Sequence, residues 1–317
     1  MNRRLFKLAI IITGVIPLQF AGGLVQAGEP VNWEAFNPEV AGATYVNDSQ
    51  PCLECHEDFM RTFAYSKHGR ALPKGGCESC HGPMSKHLDE PRREPALVVS
   101  MKSLTPEQSA SVCLSCHEGG KQDGPKGPIR MNWHVSPHSS AGLGCINCHD
   151  PVGKDDPVRS RATQTKVCFT CHMDKRARSY MRSRHPIREG EVSCSDCHNP
   201  HGSSARAQLV KNTVPETCYQ CHAEKRGPFL WEHPPVREDC TICHDPHGTT
   251  EDRMLKIRGP FLCQQCHNEG YHPGSLYTGA DLPLNGGAAQ QLLGKNCRAC
   301  HNVIHGSNHP SGSRFTR

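Results

Sequence analysis

The pentad Cys-x-x-Cys-His occurs ten times in this chain of 317 residues, and the ten copies use all twenty of its cysteines. They are Cys52, Cys55 and His56; Cys77, Cys80 and His81; Cys113, Cys116 and His117; Cys145, Cys148 and His149; Cys168, Cys171 and His172; Cys194, Cys197 and His198; Cys218, Cys221 and His222; Cys240, Cys243 and His244; Cys263, Cys266 and His267; and Cys297, Cys300 and His301. Two thiols three positions apart can add to the two vinyl groups of one porphyrin, and the residue that follows then stands beside the iron as its proximal ligand. Structural zinc also uses Cys-x-x-Cys pairs, but it needs two pairs, or a pair and two spaced histidines, and has no reason to place His after the second Cys every time. Disulfides, the default for a cysteine-rich exported chain, are overruled by the same spacing. Ten covalently attached haems c are expected.

A chain so built cannot have an ordinary interior. Aromatic residues make up 6% of it, whereas glycine and proline number 29 and 25, so turns, short helices and bound cofactor must replace a packed aliphatic core. The fold class expected is a multihaem cytochrome c: short α-helices and irregular loops around a row of haems, elongated, with little or no β-sheet. Thr105-Pro106-Glu107-Gln108 offers an N-cap, an N1 proline and early acidity just before Cys113, and predicts a short helix that delivers that motif. Val214-Pro215-Glu216-Thr217 does the same before Cys218, while Gly119 to Pro128 and Asn285 to Ala289 read as turn-rich loops.

Eleven histidines lie outside the pentads: His68, His87, His134, His138, His185, His201, His233, His247, His272, His305 and His309. Ten haems with two axial imidazoles each would use ten of them. Iron so ligated has no open position, which suits low-potential electron transfer rather than substrate chemistry. The methionines, including Met84, Met101, Met131 and Met173, read as packing against porphyrin faces.

The motifs pair into five dihaem units, about 52–105, 106–160, 161–210, 211–258 and 259–317, each with the order motif, spare His, motif, trailing His. Cys168 through His185 to Cys194 and His201-Gly202 matches Cys218 through His233 to Cys240 and His247-Gly248, with the second motifs 46 residues apart. Unit two departs: where others read Cys-His-Asn-Pro-His-Gly or Cys-His-Asp-Pro-His-Gly, it reads Cys148-His149-Asp150-Pro151-Val152-Gly153. Its inter-motif stretch carries both His134 and His138, so His134, beside Trp133, is expected to replace the ligand missing at Val152. That leaves His309, in the polar tail, as the surplus. A tether limits the pairing further. His201 follows His198 by three residues, a reach of about 10 Å, which is too short to span one haem from face to face. His201 must therefore serve a different haem, as must His247 and, more marginally, His305.

Residues 1–27 read as a secretory signal, with Arg3, Arg4 and Lys7 ahead of the apolar run Leu8 to Pro17 and a small-residue cleavage site at Val25-Gln26-Ala27. The run is too short to span a bilayer, so residues 28–317 are expected as an exported decahaem domain in the periplasm. The formal charge is +5, and removal of Arg3, Arg4 and Lys7 leaves +2. Haem propionates add about −20, so basic runs such as Asp174-Lys175-Arg176-Ala177-Arg178 and Ala223-Glu224-Lys225-Arg226 read as solvated or propionate-paired, with no nucleic acid as partner.

The chain resembles the MtrA/DmsE type of decahaem c-type cytochromes of outer-membrane porin–cytochrome complexes. The resemblance runs through the ten pentads, Ala223-Glu224-Lys225-Arg226-Gly227-Pro228, Trp231-Glu232-His233, Cys263-Gln264-Gln265-Cys266-His267, and the tail from Val303-Ile304-His305 to His309-Pro310-Ser311-Gly312. It implies a rod of bis-His haems inserted into an outer-membrane β-barrel porin. Such a rod takes electrons from periplasmic or inner-membrane donor cytochromes and passes them to an outer-surface multihaem cytochrome or an extracellular reductase. Two rivals are a multihaem oxyanion reductase, which needs an open haem usually marked by a variant motif that is absent from these ten, and a diffusible periplasmic electron shuttle.

Overall fold

The computed structural model describes residues 30–72, 76–89, 94–117, 132–267 and 296–316. The proposed signal segment, the two turn-rich loops, Met131 and His272 lie outside them.

Each described Cys-x-x-Cys-His folds as one helical turn because its last backbone N–H closes on the first cysteine's carbonyl. His81 N–H donates to Cys77 O at 3.0 Å, and the same bond recurs at His149, His172, His198, His222, His244, His267 and His301 at 2.8–3.1 Å. Residues three apart in a helical turn share a face, so both thiols of a pentad point the same way. Helices are otherwise short. The longest are Gln50–Phe63, which is kinked at His56, and Pro106–His117. The second is closed by a reciprocal cap: Gln108 N–H donates to Thr105 Oγ1 at 3.2 Å, and Thr105 N–H donates to Gln108 Oε1 at 2.9 Å. It runs through the third motif as well as up to it, further than the sequence cue alone extends. Thr213 caps Val214–Cys218 in the same reciprocal way with Glu216. No strand forms among the described residues, only four isolated antiparallel bridges.

The polypeptide buries little of itself. The buried hydrophobics among the described residues are Val40, Phe63, Met84, Val99, Ala110, Val112, Leu114, Trp133 and Leu255. Trp133 fills a small cluster with Ala110, Leu114 and the motif cysteine Cys145.

Neighbouring units are joined by a recurrent latch. Ser183 pairs with Thr249, and Trp231 with Ser307, each through two backbone bonds of 2.9–3.1 Å. The first member of each bridge stands two residues before an inter-motif His, and the second stands two residues after a trailing His. Glycine follows His201, His247 and His305 because the neighbouring chain segment comes so close. A Cβ at Gly248 would lie 2.2 Å from the Arg178 carbonyl, and one at Gly202 would lie 2.4 Å from that of Asn132. Both glycines also hold positive φ, +136° and +108°, which favours a residue without Cβ. Arg178 adds an ion pair to Asp245 across the same joint.

Candidate haem-binding site

None of the twenty cysteines is disulfide-bonded. Among the described residues no three His, Cys, Asp or Glu side chains converge as a metal site would require. The thiols instead meet in pairs, and the pairs alternate along the chain. Within each unit the first cysteines of the two motifs face one another. Donating a hydrogen bond to the partner raises Cys52 against Cys77, Cys113 against Cys145, Cys168 against Cys194 and Cys218 against Cys240, while Cys77, Cys145, Cys194 and Cys240 are lowered by accepting it. Cys263 is pushed up to about 11 by burial and then by Cys297. Between units the second cysteines take over: Cys80, Cys148, Cys197 and Cys243 are raised by burial and also by Cys116, Cys171, Cys221 and Cys266 respectively. The ten motifs therefore follow one another in space in the order of the sequence.

The imidazoles form a second, interlocking set of pairs, each joining one motif histidine to one spare histidine. His68 faces His117 with ring centroids 5.9 Å apart, His138 faces His172 at 6.1 Å, His185 faces His222 at 6.2 Å, and His233 faces His267 at 6.0 Å. In these four the inter-motif His reaches forward to the first motif of the next unit. His201 faces His149 at 5.8 Å, His247 faces His198 at 6.1 Å, and His305 faces His244 at 6.1 Å. In these three the trailing His reaches back to the second motif of the preceding unit, and none faces the motif histidine that it follows in sequence. Metal–imidazole bonds of about 2 Å on either side of an iron, plus the distance from ring nitrogen to ring centre, require centroids about 6 Å apart. All seven pairs fit a hexacoordinate haem iron.

The free ring nitrogens are held in the tautomer that ligation needs. His68 donates from Nδ1 to the Pro151 carbonyl at 2.9 Å, His138 to Pro200 at 2.9 Å and His185 to Pro246 at 2.8 Å. A carbonyl can only accept, so Nδ1 carries the proton and Nε2 keeps its lone pair. At His233 the equivalent acceptor is the Ile304 carbonyl, which acts on the ring but lies outside good hydrogen-bond geometry. Four second-motif histidines do likewise: His81 to Val99, His198 to Ala207, His244 to Arg253 and His301 to Arg314, at 2.6–2.8 Å. Burial pushes His117, His201, His233, His244, His247 and His305 below the usual imidazole range, His305 to about 4. They stay neutral, the form that binds metal.

Turns place the trailing histidines. The backbone N–H groups of His201 and His247 donate to the side-chain oxygens of Asn199 and Asp245, and in unit two Val152 N–H donates to Asp150 Oδ1 in the same manner. Val152 thus occupies the turn position where the other units carry a ligand, while Pro151 still serves His68. His87 donates from Nδ1 to Glu94 O at 3.1 Å, and His134 lies exposed in the short turn Trp133–Val135. At exposed His309 the bond is reversed. Ser311 N–H donates to its Nδ1 at 3.1 Å, which leaves the proton of the neutral ring on Nε2. The sequence reading missed Asp156, whose Oδ2 accepts from His149 Nδ1 at 2.6 Å; the available signal was the Asp155-Asp156-Pro157 run shortly after the one irregular motif.

Comparison with known proteins agrees with this geometry. The doubled CXXCH motif family matches residues 138–177, 185–227 and 233–271, and the cytochrome c554 and c-prime family matches residues 33–82. The multiheme cytochrome MtrA of Shewanella baltica is 43% identical over 276 residues, covering 84% of this chain and 80% of that protein. The cytochrome c-type protein NrfB of Haemophilus influenzae is 22% identical over 226 residues, covering 69% of this chain and 83% of that protein.

Proposed function

The chain belongs to the MtrA family of multihaem cytochromes, electron-transfer proteins rather than enzymes, and from that premise we propose that it is a ten-haem wire across the outer membrane. Each of the ten Cys-x-x-Cys pairs carries one haem c, which adds the iron that exchanges electrons. The motif histidines bind from one side, and His68, His138, His185, His201, His233, His247 and His305 bind from the other on the pairing above. His87, His134 and His272 complete the set, with His309 left over. The five units about 52–105 to 259–317 act as repeats.

The alternation of thiol contacts carries this reading. It brings successive attachment points together without a gap, so haems held there would pass electrons from one to the next along the row. The 43% identity to MtrA over 80% of its length supports the remainder. Residues 1–27 direct export to the periplasm, and an outer-membrane β-barrel porin holds the mature chain. Periplasmic or inner-membrane donor cytochromes reduce it, and an outer-surface multihaem cytochrome or extracellular reductase takes the electrons. Among the described residues no helix is long and apolar enough to cross a membrane, so the polypeptide would rely on the barrel.

Liposomes filled with reduced methyl viologen test this. Reconstituted with the holoprotein and its co-purified barrel, they should reduce an external ferric chelate. Equal rates with and without the barrel would replace the conduit by the diffusible shuttle.

A further inference from the structure

We propose that Asp156 tunes the haem held by His149 and His201, making it harder to reduce than the haem held by His244 and His305. The inference rests on the ligand reading just given. Among the second motifs, His81, His198, His244 and His301 each donate to a neutral backbone carbonyl. Among them His149 alone donates to a carboxylate, at 2.6 Å; on the other axial imidazoles Asp245 stands 3.3 Å from His247 Nδ1 and Glu224 3.8 Å from His222 Nδ1, both longer contacts.

The backbone explains the exchange. In units three and four the acceptor carbonyl stands nine residues beyond the histidine, on Ala207 and Arg253, and those residues hold left-handed φ of +52° and +59° to present it. In unit two the loop returns after seven residues, and a side chain takes the carbonyl's place. Asp156 is held for the task. Its Oδ1 accepts from Asp150 N–H at 3.4 Å and from Val158 N–H at 3.3 Å, which aims Oδ2 at the ring. Its side chain is only 18% exposed, so solvent screens the interaction weakly.

A charged acceptor makes a shorter and stronger hydrogen bond than a neutral carbonyl. It draws the Nδ1 proton toward itself and raises electron density at Nε2, and partners of this kind set the basicity of a metal-bound imidazole. A more basic axial ligand stabilises ferric over ferrous iron. The one-electron reduction of this haem is therefore disfavoured relative to the haem of His244 and His305, where His244 donates to a carbonyl. Because the motifs line up in sequence order, electrons meet an uphill step at the fourth of ten positions.

The test is a spectroelectrochemical titration of holoprotein carrying Asp156→Asn, with Glu189→Gln as a charge control. Glu189 lies outside every motif and bonds Arg184 rather than an imidazole. Asp156→Asn should raise the reduced-to-oxidised ratio of one haem in the low-potential foot by about tenfold, equal to about 59 mV for one electron, and Glu189→Gln should leave the foot in place. Asp156→Glu, made in parallel in case Asn fails to hold the loop, keeps an anionic acceptor and should retain the foot. An unchanged foot in Asp156→Asn, or a foot displaced equally in the Asn and Glu chains, overturns the proposal. Haem content and spin state are read on the same samples. Ten low-spin haems with an unmoved foot defeat this inference alone, whereas missing or high-spin haem in the unsubstituted protein defeats the ligand reading beneath it.

Discussion

His68→Ala and His247→Ala should each open one haem, yet delete different paramagnetic signals. The planes of His68 and His117 are 87° apart, and those of His138 and His172 are 79° apart, whereas His198 and His247 lie within 10°, as do His149 and His201. In low-spin ferric haem, near-parallel axial rings give a rhombic signal with separated g values, and near-perpendicular rings give one strongly anisotropic feature at large g. The haems of His117 and His172 should therefore produce the large-g feature, and those of His149, His198 and His244 the rhombic set. Loss of one axial imidazole leaves a five-coordinate iron, so each variant should turn about a tenth of the iron high-spin. His68→Ala should weaken the large-g feature, while His247→Ala should remove a rhombic component and leave the large-g feature intact. Continuous-wave spectra of the oxidised variants, integrated against the unsubstituted protein, read both quantities. Loss of the same signal class in the two variants, or no high-spin iron in either, would refute the pairing.

His134→Ala should also make one iron high-spin and able to bind carbon monoxide, while His309→Ala, whose Nδ1 already accepts from Ser311 N–H, should leave every haem low-spin; carbon monoxide difference spectra decide it. Protein made without haem-attachment machinery should show no cooperative thermal transition by circular dichroism, because so few apolar side chains cannot offset the entropy of ordering the chain. Gly248→Ala should destabilise the joint of units three and four by about 1–3 kcal/mol, since its Cβ meets the Arg178 carbonyl at 2.2 Å; thermal denaturation of the holoprotein measures the loss.

The pentads, the helices opened at Thr105 and Thr213, and the reach of His201 beyond its own motif were legible in the sequence, because each is decided by residues a few positions apart. Which histidine meets which was not legible. His68 and Pro151 stand 83 residues apart and meet beside the turn at Asp150, and the equivalent meetings further along depend on turns at Asn199 and Asp245. Residue type only weakly signals such turns. Val152 was visible as an exception, but the sequence did not reveal that the turn around it persists. Asp156 was overlooked because a carboxylate in a Lys-Asp-Asp-Pro loop reads as solvated surface until the imidazole is seen against it.

The forward and backward exchange of histidines also sets an order of maturation. A chain is made from its N-terminus, so a second-motif haem in units two to four waits for the trailing histidine of the following unit, as His198 waits for His247. With these histidines as ligands, its iron would until then hold a single axial imidazole and be open to oxygen or other small ligands. Each newly completed unit seals the one before it, like a closing zip, and a chain cut short between units would keep one reactive iron at its end.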